Sequence, residues 1–292
     1  MAAPALAVWN SEILLPRLLT EVGNVWDAAE RHVREHDCTR LPRVGEEDVT
    51  RFLFLELKQR VEAANLQRVF EVALTQDLES CGNPVAELNA GKWARGLAGT
   101  VTFHQRSFEG RTGGDLGMAL LCPRFFDTTS PVAGLVMAPQ GALCQAKITQ
   151  NLTGLLGQLS PSQKKVLEGR LSYVALLLYR RSDLNGAPIL PFEWFKCDRL
   201  KSIQEVARVL REANLPSLSS REFLTDLATG RFGTSDHEII SAWIAPDSEE
   251  LAWAVDMRID WPDGRPDTSE MAYQQSGILA LQRQNVVVQI RA

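Results

Sequence analysis

The sequence predicts an α+β protein: an α/β-type core in the order αβββαβ, preceded by N-terminal helices and followed by a C-terminal α+β extension. Three observations carry this. Apolar residues Phe52, Leu53, Leu55, Leu57 and Val61 recur at helical spacing between about Asp48 and Asn65, behind acidic residues of the kind a helix N-terminus favours. From about Gly99 the texture changes to short β-branched, aromatic and apolar runs separated by turn residues. Finally, Ser172–Arg180 (SYVALLLYR) is almost entirely apolar. Such a run suits a strand buried on both faces, although pattern alone leaves a helix open.

Residues 10–37 read as one or two amphipathic helices, with Ile13, Leu14, Leu18, Leu19 and Val22 near helical spacing. Pro42 and Gly45 break that pattern. After the 48–65 helix a second helical stretch runs through 66–80 to Cys81-Gly82-Asn83-Pro84. Thr100–Arg106 alternates and reads as the first strand, Arg111-Thr112-Gly113-Gly114 as a turn, and Asp115–Cys122 as the second strand. Residues 123–139, rich in Pro, Ser and Thr, read as a 17-residue connection to a third strand, Gly141–Ile148. Residues 149–170 contain helix, interrupted at Ser160-Pro161. Beyond 185, Ser202–Ala213 and Ser220–Thr229 read as helices. Leu251, Trp253, Val255, Met257, Ile259 and Trp261 share one face of a strand, to which Asn285–Ile290 is a candidate neighbour. The implied division is 1–45, 46–185 and 186–292.

Composition narrows the function classes. The chain has 292 residues, 45% of them apolar, and no apolar run long enough to span a bilayer. The N-terminus lacks a basic n-region, and no signal peptide is expected. Five cysteines without a CxxC pair, and four histidines not at zinc spacing beside them, argue for reduced thiols in a cytoplasmic protein with no membrane association. The net charge is −5, unevenly spread: residues 141–185 carry a net +4 and residues 241–270 a net −6. There is no GxxxxGK[ST] loop, GxSxG elbow or HExxH, so ATPase, α/β-hydrolase and zinc-protease chemistry lack support.

Two short elements can carry chemistry. Asp115 stands at a turn-to-strand transition in Gly113-Gly114-Asp115-Leu116-Gly117, and Gln145-Ala146-Lys147 lies in the third strand. Strand alternation puts Gln145 and Lys147 on one face with Ala146 opposite. If the second and third strands pair, all three polar side chains meet at one edge. A carboxylate and a second oxygen ligand there suit Mg²⁺, a hard cation that keeps several waters. The ion stabilises phosphate charge and activates water, and an adjacent lysine orients that water or stabilises developing charge.

Helix, three strands bearing an Asp and then a Gln-x-Lys triplet, helix and strand over residues 46–185 resembles the core of PD-(D/E)xK nucleases. The variant is the one with Gln in the triplet, similar to nuclease domains of bacterial restriction and anti-phage defence proteins. A helical segment with Gln158 and Gln163, followed by SYVALLLYR, adds to the likeness. The resemblance implies a restriction-endonuclease-like core and a Mg²⁺-dependent endonuclease, with Mn²⁺ as substitute and DNA as substrate, RNA being left open. It implies that Asp115 and Gln145 ligate the metal, that Lys147 is catalytic, and that Glu56 on the preceding helix is an outer acidic ligand. Gln145 departs from the commonest pattern, because an amide oxygen brings no charge. Compensation is expected from Glu56 or from Glu109, six residues before Asp115. The alternative is a weak or inactive nuclease-like subunit that binds nucleic acid or a protein partner. Residues 186–292 would serve homo-oligomerisation, a partner subunit or regulation.

Other residues carry simpler readings beside the functional ones. His104 is a base candidate near the site, but a strand histidine is more often structural. Cys122 and Cys144 read as small core residues that are neighbours across two strands rather than a redox pair. Gln163, Lys164 and Lys165 read as a solvated helix face or as phosphate contacts. The Trp-bearing strand 251–261 packs a sheet against something, with a protein interface as the alternative.

Overall fold

Helix α1 (Leu14–His32) forms where the pattern predicts it, and its stripe Leu18, Leu19, Val22, Trp26 and Ala29 is buried. A π-helical turn, Val33–Asp37, ends it. The chain, in this computed structural model, is described over residues 14–37, 44–72, 92–125, 135–149, 160–180, 191–212, 216–243 and 249–259. Helix α2 (Glu46–Ala64) starts at Gly45, whose N–H donates to Asp48 Oδ2 at 2.9 Å. Three acidic residues, Glu46, Glu47 and Asp48, fill its first turn, where the helix dipole favours negative charge. It buries Val49, Thr50, Leu53, Phe54 and Leu57 and stops at Asn65 in the left-handed region (φ 41°). Helical residues 66–72 follow; the remainder of the expected 66–80 helix lies outside the described residues.

The sheet has six strands: β1 (Lys92–Phe103), β2 (Leu116–Phe125), β3 (Leu135–Thr149), β4 (Val174–Arg180), β5 (Glu193–Lys196) and β6 (Glu249–Ile259), in the spatial order β5-β4-β3-β2-β1-β6. Pairing is antiparallel except between β3 and β4. That parallel pair needs a crossover, and helix α4 (Pro161–Glu168) lies on it. Ser160 caps α4, its Oγ accepting from Gln163 N–H, with Pro161 at the first helical position, so Ser160-Pro161 marks a helix start. The expected helix over 150–159, with Gln158, lies outside the described residues.

Two differences from the sequence reading bear on the site. Arg106 is not the end of a strand: Arg106–Thr112 is a short helix, α3, closed by Gly113 at φ 79°, whose N–H donates to Glu109 O. Thr112-Gly113-Gly114 looks like a turn because seven residues are too few to show helical periodicity. The 123–139 connection is also shorter than expected, since β2 runs to Phe125 and β3 begins at Leu135. Pro123 and Pro139 are within the ladder, a placement open to proline where no N–H is required. The register sets Cys144 against Leu116 and Cys122 against Ala138, so the two cysteines are not cross-strand neighbours.

Val174 through Tyr179 of β4 are all buried, as expected for a strand covered on both faces, and successive side chains enter different cores. Ala175, Leu177 and Tyr179 belong to one core with Trp26, Phe54 and Phe223; Val174, Leu176 and Leu178 belong to a second with Leu167, Ile203 and Trp243. The helices behind these cores are α1, α2 and α6 (Ser220–Ala228) on one side, and α4, α5 (Ile203–Arg211) and α7 (His237–Ser241) on the other. The architecture is α+β, a mixed sheet flanked by helices.

Both edge strands, β5 and β6, come from the sequence after residue 186. Leu251, Trp253 and Val255 of β6 are buried in the chain's own core. That side of the alternating strand is therefore covered internally, and its neighbour is β1; Asn285–Ile290 and Trp261 lie outside the described residues. Gly99 makes the packing possible. A Cβ there would lie 2.2 Å from Trp253 Cζ2. Gly99→Ala is expected to destabilise the fold by about 1–3 kcal/mol through overpacking, read by chemical denaturation. Wild-type stability in that variant would contradict the packing of Trp253 on Gly99.

Candidate active site

The site exists because β2 starts late. Its pairing with β3 begins at Leu116, opposite Cys144, and Asp115 N–H donates to Cys144 O at 2.8 Å. Past Cys144, β3 continues to Thr149 paired in parallel with β4. On its other edge the backbone N–H groups of Ala146 and Ile148 are met by side chains. Ala146 N–H donates to Asp115 Oδ2 at 2.5 Å, and Ile148 N–H donates to Glu46 Oε2 at 3.1 Å. Gln145 Nε2 also donates to Asp115 Oδ2, at 2.5 Å, and Lys147 Nζ donates to Glu46 Oε1. Four consecutive residues, 145–148, thus present four donors to two carboxylates.

Asp115, Gln145 and Lys147 therefore meet at one edge, as strand alternation predicts. Ala146 on the opposite face belongs to the core behind α1 and α2. Asp115 and Lys147 line a cavity of about 460 Å³, together with Glu46, Glu47, Asp48 and Glu109. Arg106, on the same wall, joins Lys147 as the second positive charge among the lining residues. Burial pushes the Asp115 carboxyl well above the ordinary carboxylate range. The Glu109 and Glu46 charges push the same way, and Lys147 and the Ala146 N–H oppose them. Gln145 is fully buried, and its Oε1 has no hydrogen-bond partner among the described residues.

The acidic side chains that α2 brings to the cavity are Glu46, Glu47 and Asp48, of which Glu46 engages β3; Glu56 does not line the cavity. Glu56 is ten residues further along, about 15 Å at the α-helical rise, and pairs instead with Arg60 at 2.6 Å and His32 at 3.9 Å. The sequence does not single out Glu46, because an acidic residue in a first helical turn is already explained by the dipole. The signal that could have found it is its position, at the end of the helix nearest the strand C-termini. Its backbone is also fixed from below. Thr50 Oγ1 donates its proton to Glu46 O at 2.9 Å, so Tyr179 OH, 3.0 Å away, donates to Thr50. Burial raises the Tyr179 phenol well above its usual range and keeps it neutral.

Glu109 reaches the cavity from α3, but its Oε1 accepts from Gln163 Nε2 at 2.6 Å. Gln163 thus caps α4 and ties it to α3. Lys164 and Lys165 do not line the cavity, and Lys165 is solvent-exposed. His104 lines the cavity yet is 3% exposed. Its Nδ1 lies 2.8 Å from Gly114 O and its Nε2 2.9 Å from Trp243 O. Burial lowers its pKa, and the two carbonyls oppose that shift. With each ring nitrogen against a backbone carbonyl and Thr112 Oγ1 also 3.2 Å from Nδ1, His104 braces the Gly114–Asp115 turn and is not placed to act as a base.

Among the described residues, no three His, Cys, Asp or Glu side chains converge to hold a metal ion. The geometry above accounts for this: the two nearest carboxylates turn toward N–H donors on β3 rather than toward a common point. Among the described residues, no helix is long and apolar enough to cross a membrane. Compared with known proteins, the chain matches no family model, no curated protein and no solved structure.

Proposed function

We propose that the chain is a Mg²⁺-dependent phosphodiesterase acting on nucleic acid, an endonuclease with a restriction-endonuclease-like core of the PD-(D/E)xK kind. DNA is the substrate expected from that resemblance, in a bacterial restriction or defence setting. The observation that carries the reading is the meeting of Asp115, Gln145 and Lys147 at the β3 edge, where Asp115 and Lys147 line a cavity and Gln145, buried behind them, donates to Asp115.

The donor set fits the ion. Gln145 Oε1 is buried and, among the described residues, without a hydrogen-bond partner, while its Nε2 meets the Asp115 carboxylate; amide and carboxylate oxygens are the hard donors Mg²⁺ prefers. Asp115 and Gln145 would hold it, the amide turning so that its oxygen rather than Nε2 faces the cation. When bound, Mg²⁺ neutralises phosphate charge and lowers the pKa of an attacking water. Lys147, buried and already positive-side neighbour to Asp115, orients that water or stabilises the developing charge. Tyr179 and Thr50 hold the first turn of α2.

A second reading rests on the neutral Gln145 and on the lack, among the described residues, of three converging acidic or imidazole ligands: a nuclease-like subunit that binds nucleic acid or a protein partner without cutting. Calorimetric titration with Mg²⁺ and Mn²⁺ separates them. The enzyme reading expects binding that Asp115→Asn abolishes. No heat at millimolar ion in the wild-type protein would favour the second reading.

A further inference from the structure

We propose that Glu46 is a built-in plug in an anion slot, formed by Lys147 Nζ and Ile148 N–H, which a phosphate group occupies when substrate binds. The proposal deepens the phosphodiesterase reading and rests on it for the identity of the anion.

The slot is defined by its occupant. Both oxygens of one carboxylate are engaged, Oε1 by Lys147 Nζ and Oε2 by Ile148 N–H at 3.1 Å. A phosphate likewise offers two oxygens from one centre, so the same pair of donors suits it. Lys147 is 4% exposed, and a buried ammonium is retained only when it is paired. Glu46 provides that pairing while the slot is empty of substrate. The contact is supplied by a single side chain at the first position of α2, and that side chain is 26% exposed. Releasing it to the cavity therefore requires side-chain motion and no unfolding of the sheet.

Charge explains why release needs a trigger. The cavity lining carries Glu46, Glu47, Asp48, Glu109 and Asp115 against Lys147 and Arg106. Without a cation an incoming phosphate meets net negative charge and a competitor already seated. A cation held beside Asp115 would supply positive charge that favours both changes, the release of the Glu46 carboxylate and the entry of the phosphate. A competitor that occupies the slot most of the time weakens the apparent affinity by the fraction of time the slot is open.

The test is binding, not cleavage. Inorganic phosphate is titrated in EDTA into the wild-type 292-residue chain and into its E46Q, E46A and E46A/K147M variants. Dissociation constants are read by calorimetry, and the Ile148 amide shift by ¹⁵N NMR. E46A is expected to bind phosphate at least about ten-fold tighter than wild type, with the Ile148 amide moving on titration; E46Q falls between them. The double variant loses the gain. E46Q keeps the size and one oxygen of the side chain, so it carries the test if E46A does not fold. Equal affinity in wild type and E46Q, a gain that survives Lys147→Met, or a stationary Ile148 amide overturns the plug. Because no metal or cleavage is involved, these outcomes are separate from failure of the phosphodiesterase reading, which shows as absent cutting by wild type with Mg²⁺.

Discussion

If the proposed phosphodiesterase reading holds, Lys147→Ala is expected to lower the rate of Mg²⁺-dependent cleavage by at least about a hundred-fold, the scale on which enzymes lose rate when a preorganised charge at the reacting group is removed. The loss is expected in kcat with little change in KM, because the amine acts on charge that develops during reaction. Its structural side effect can be foreseen. Glu46 loses its ammonium partner but keeps the Ile148 N–H and a face toward the cavity. The fold therefore survives, and the melting temperature checks this. Lys147→Met, which fills the same buried channel, controls for packing and is expected to be equally inactive. A K147M protein that cuts at the wild-type rate would remove the lysine from the mechanism.

Glu30→Ala is the substitution expected to cost the most stability, about 2–4 kcal/mol, by urea unfolding. Glu30 is 7% exposed on α1 and ties three segments together. Its Oε1 accepts from Phe192 N–H at 2.7 Å and its Oε2 from Ser220 Oγ at 2.9 Å. Ser220 Oγ in turn accepts from Trp194 Nε1 at 2.9 Å. Truncation leaves a backbone donor and a hydroxyl buried without their acceptor, next to the stacked Trp194–Phe223 pair at 4.1 Å between centroids. Burial raises the Glu30 carboxyl above its ordinary value, against the hydrogen bonds and the Arg34 charge that lower it. The sign follows. A carboxyl whose pKa is higher in the folded chain contributes stability that is complete below its unfolded value, near 4.5, and is lost as pH rises through the folded value. The stability of wild type relative to Glu30→Gln is thus expected to fall between about pH 4 and neutrality. A difference that grows with pH across that range would contradict the burial of Glu30.

What was legible in the sequence was what local pattern carries. The strands around Thr100–Phe103, Leu116–Cys122, Gly141–Ile148 and Val174–Arg180 announce themselves by alternation or continuous apolarity, and with them came the meeting of Asp115, Gln145 and Lys147. Helix α3 was hidden because seven residues ending in Gly113-Gly114 mimic a turn. The pairing of β6 with β1 is hidden for another reason: it joins Phe103 to Glu249 across half the chain, and no local signal encodes a partner at that distance. Glu46 was missed for a third reason. Its role depends on where the first turn of α2 sits relative to the β3 edge, a tertiary fact, whereas its residue type at that position is already explained by the helix dipole. Choosing Glu56 instead followed helix identity without helix position.

The reading of this site stands most directly on one comparison: cutting of plasmid and single-stranded DNA by wild type and by Asp115→Asn, with Mg²⁺ and with EDTA. Asn keeps an oxygen for the Ala146 N–H and so preserves the strand edge, while removing the charge that holds the ion. The account predicts cutting by wild type only with Mg²⁺, and a loss of at least about a hundred-fold in Asp115→Asn at unchanged melting temperature. Equal cutting by the two proteins with Mg²⁺, or cutting by wild type in EDTA, would contradict it.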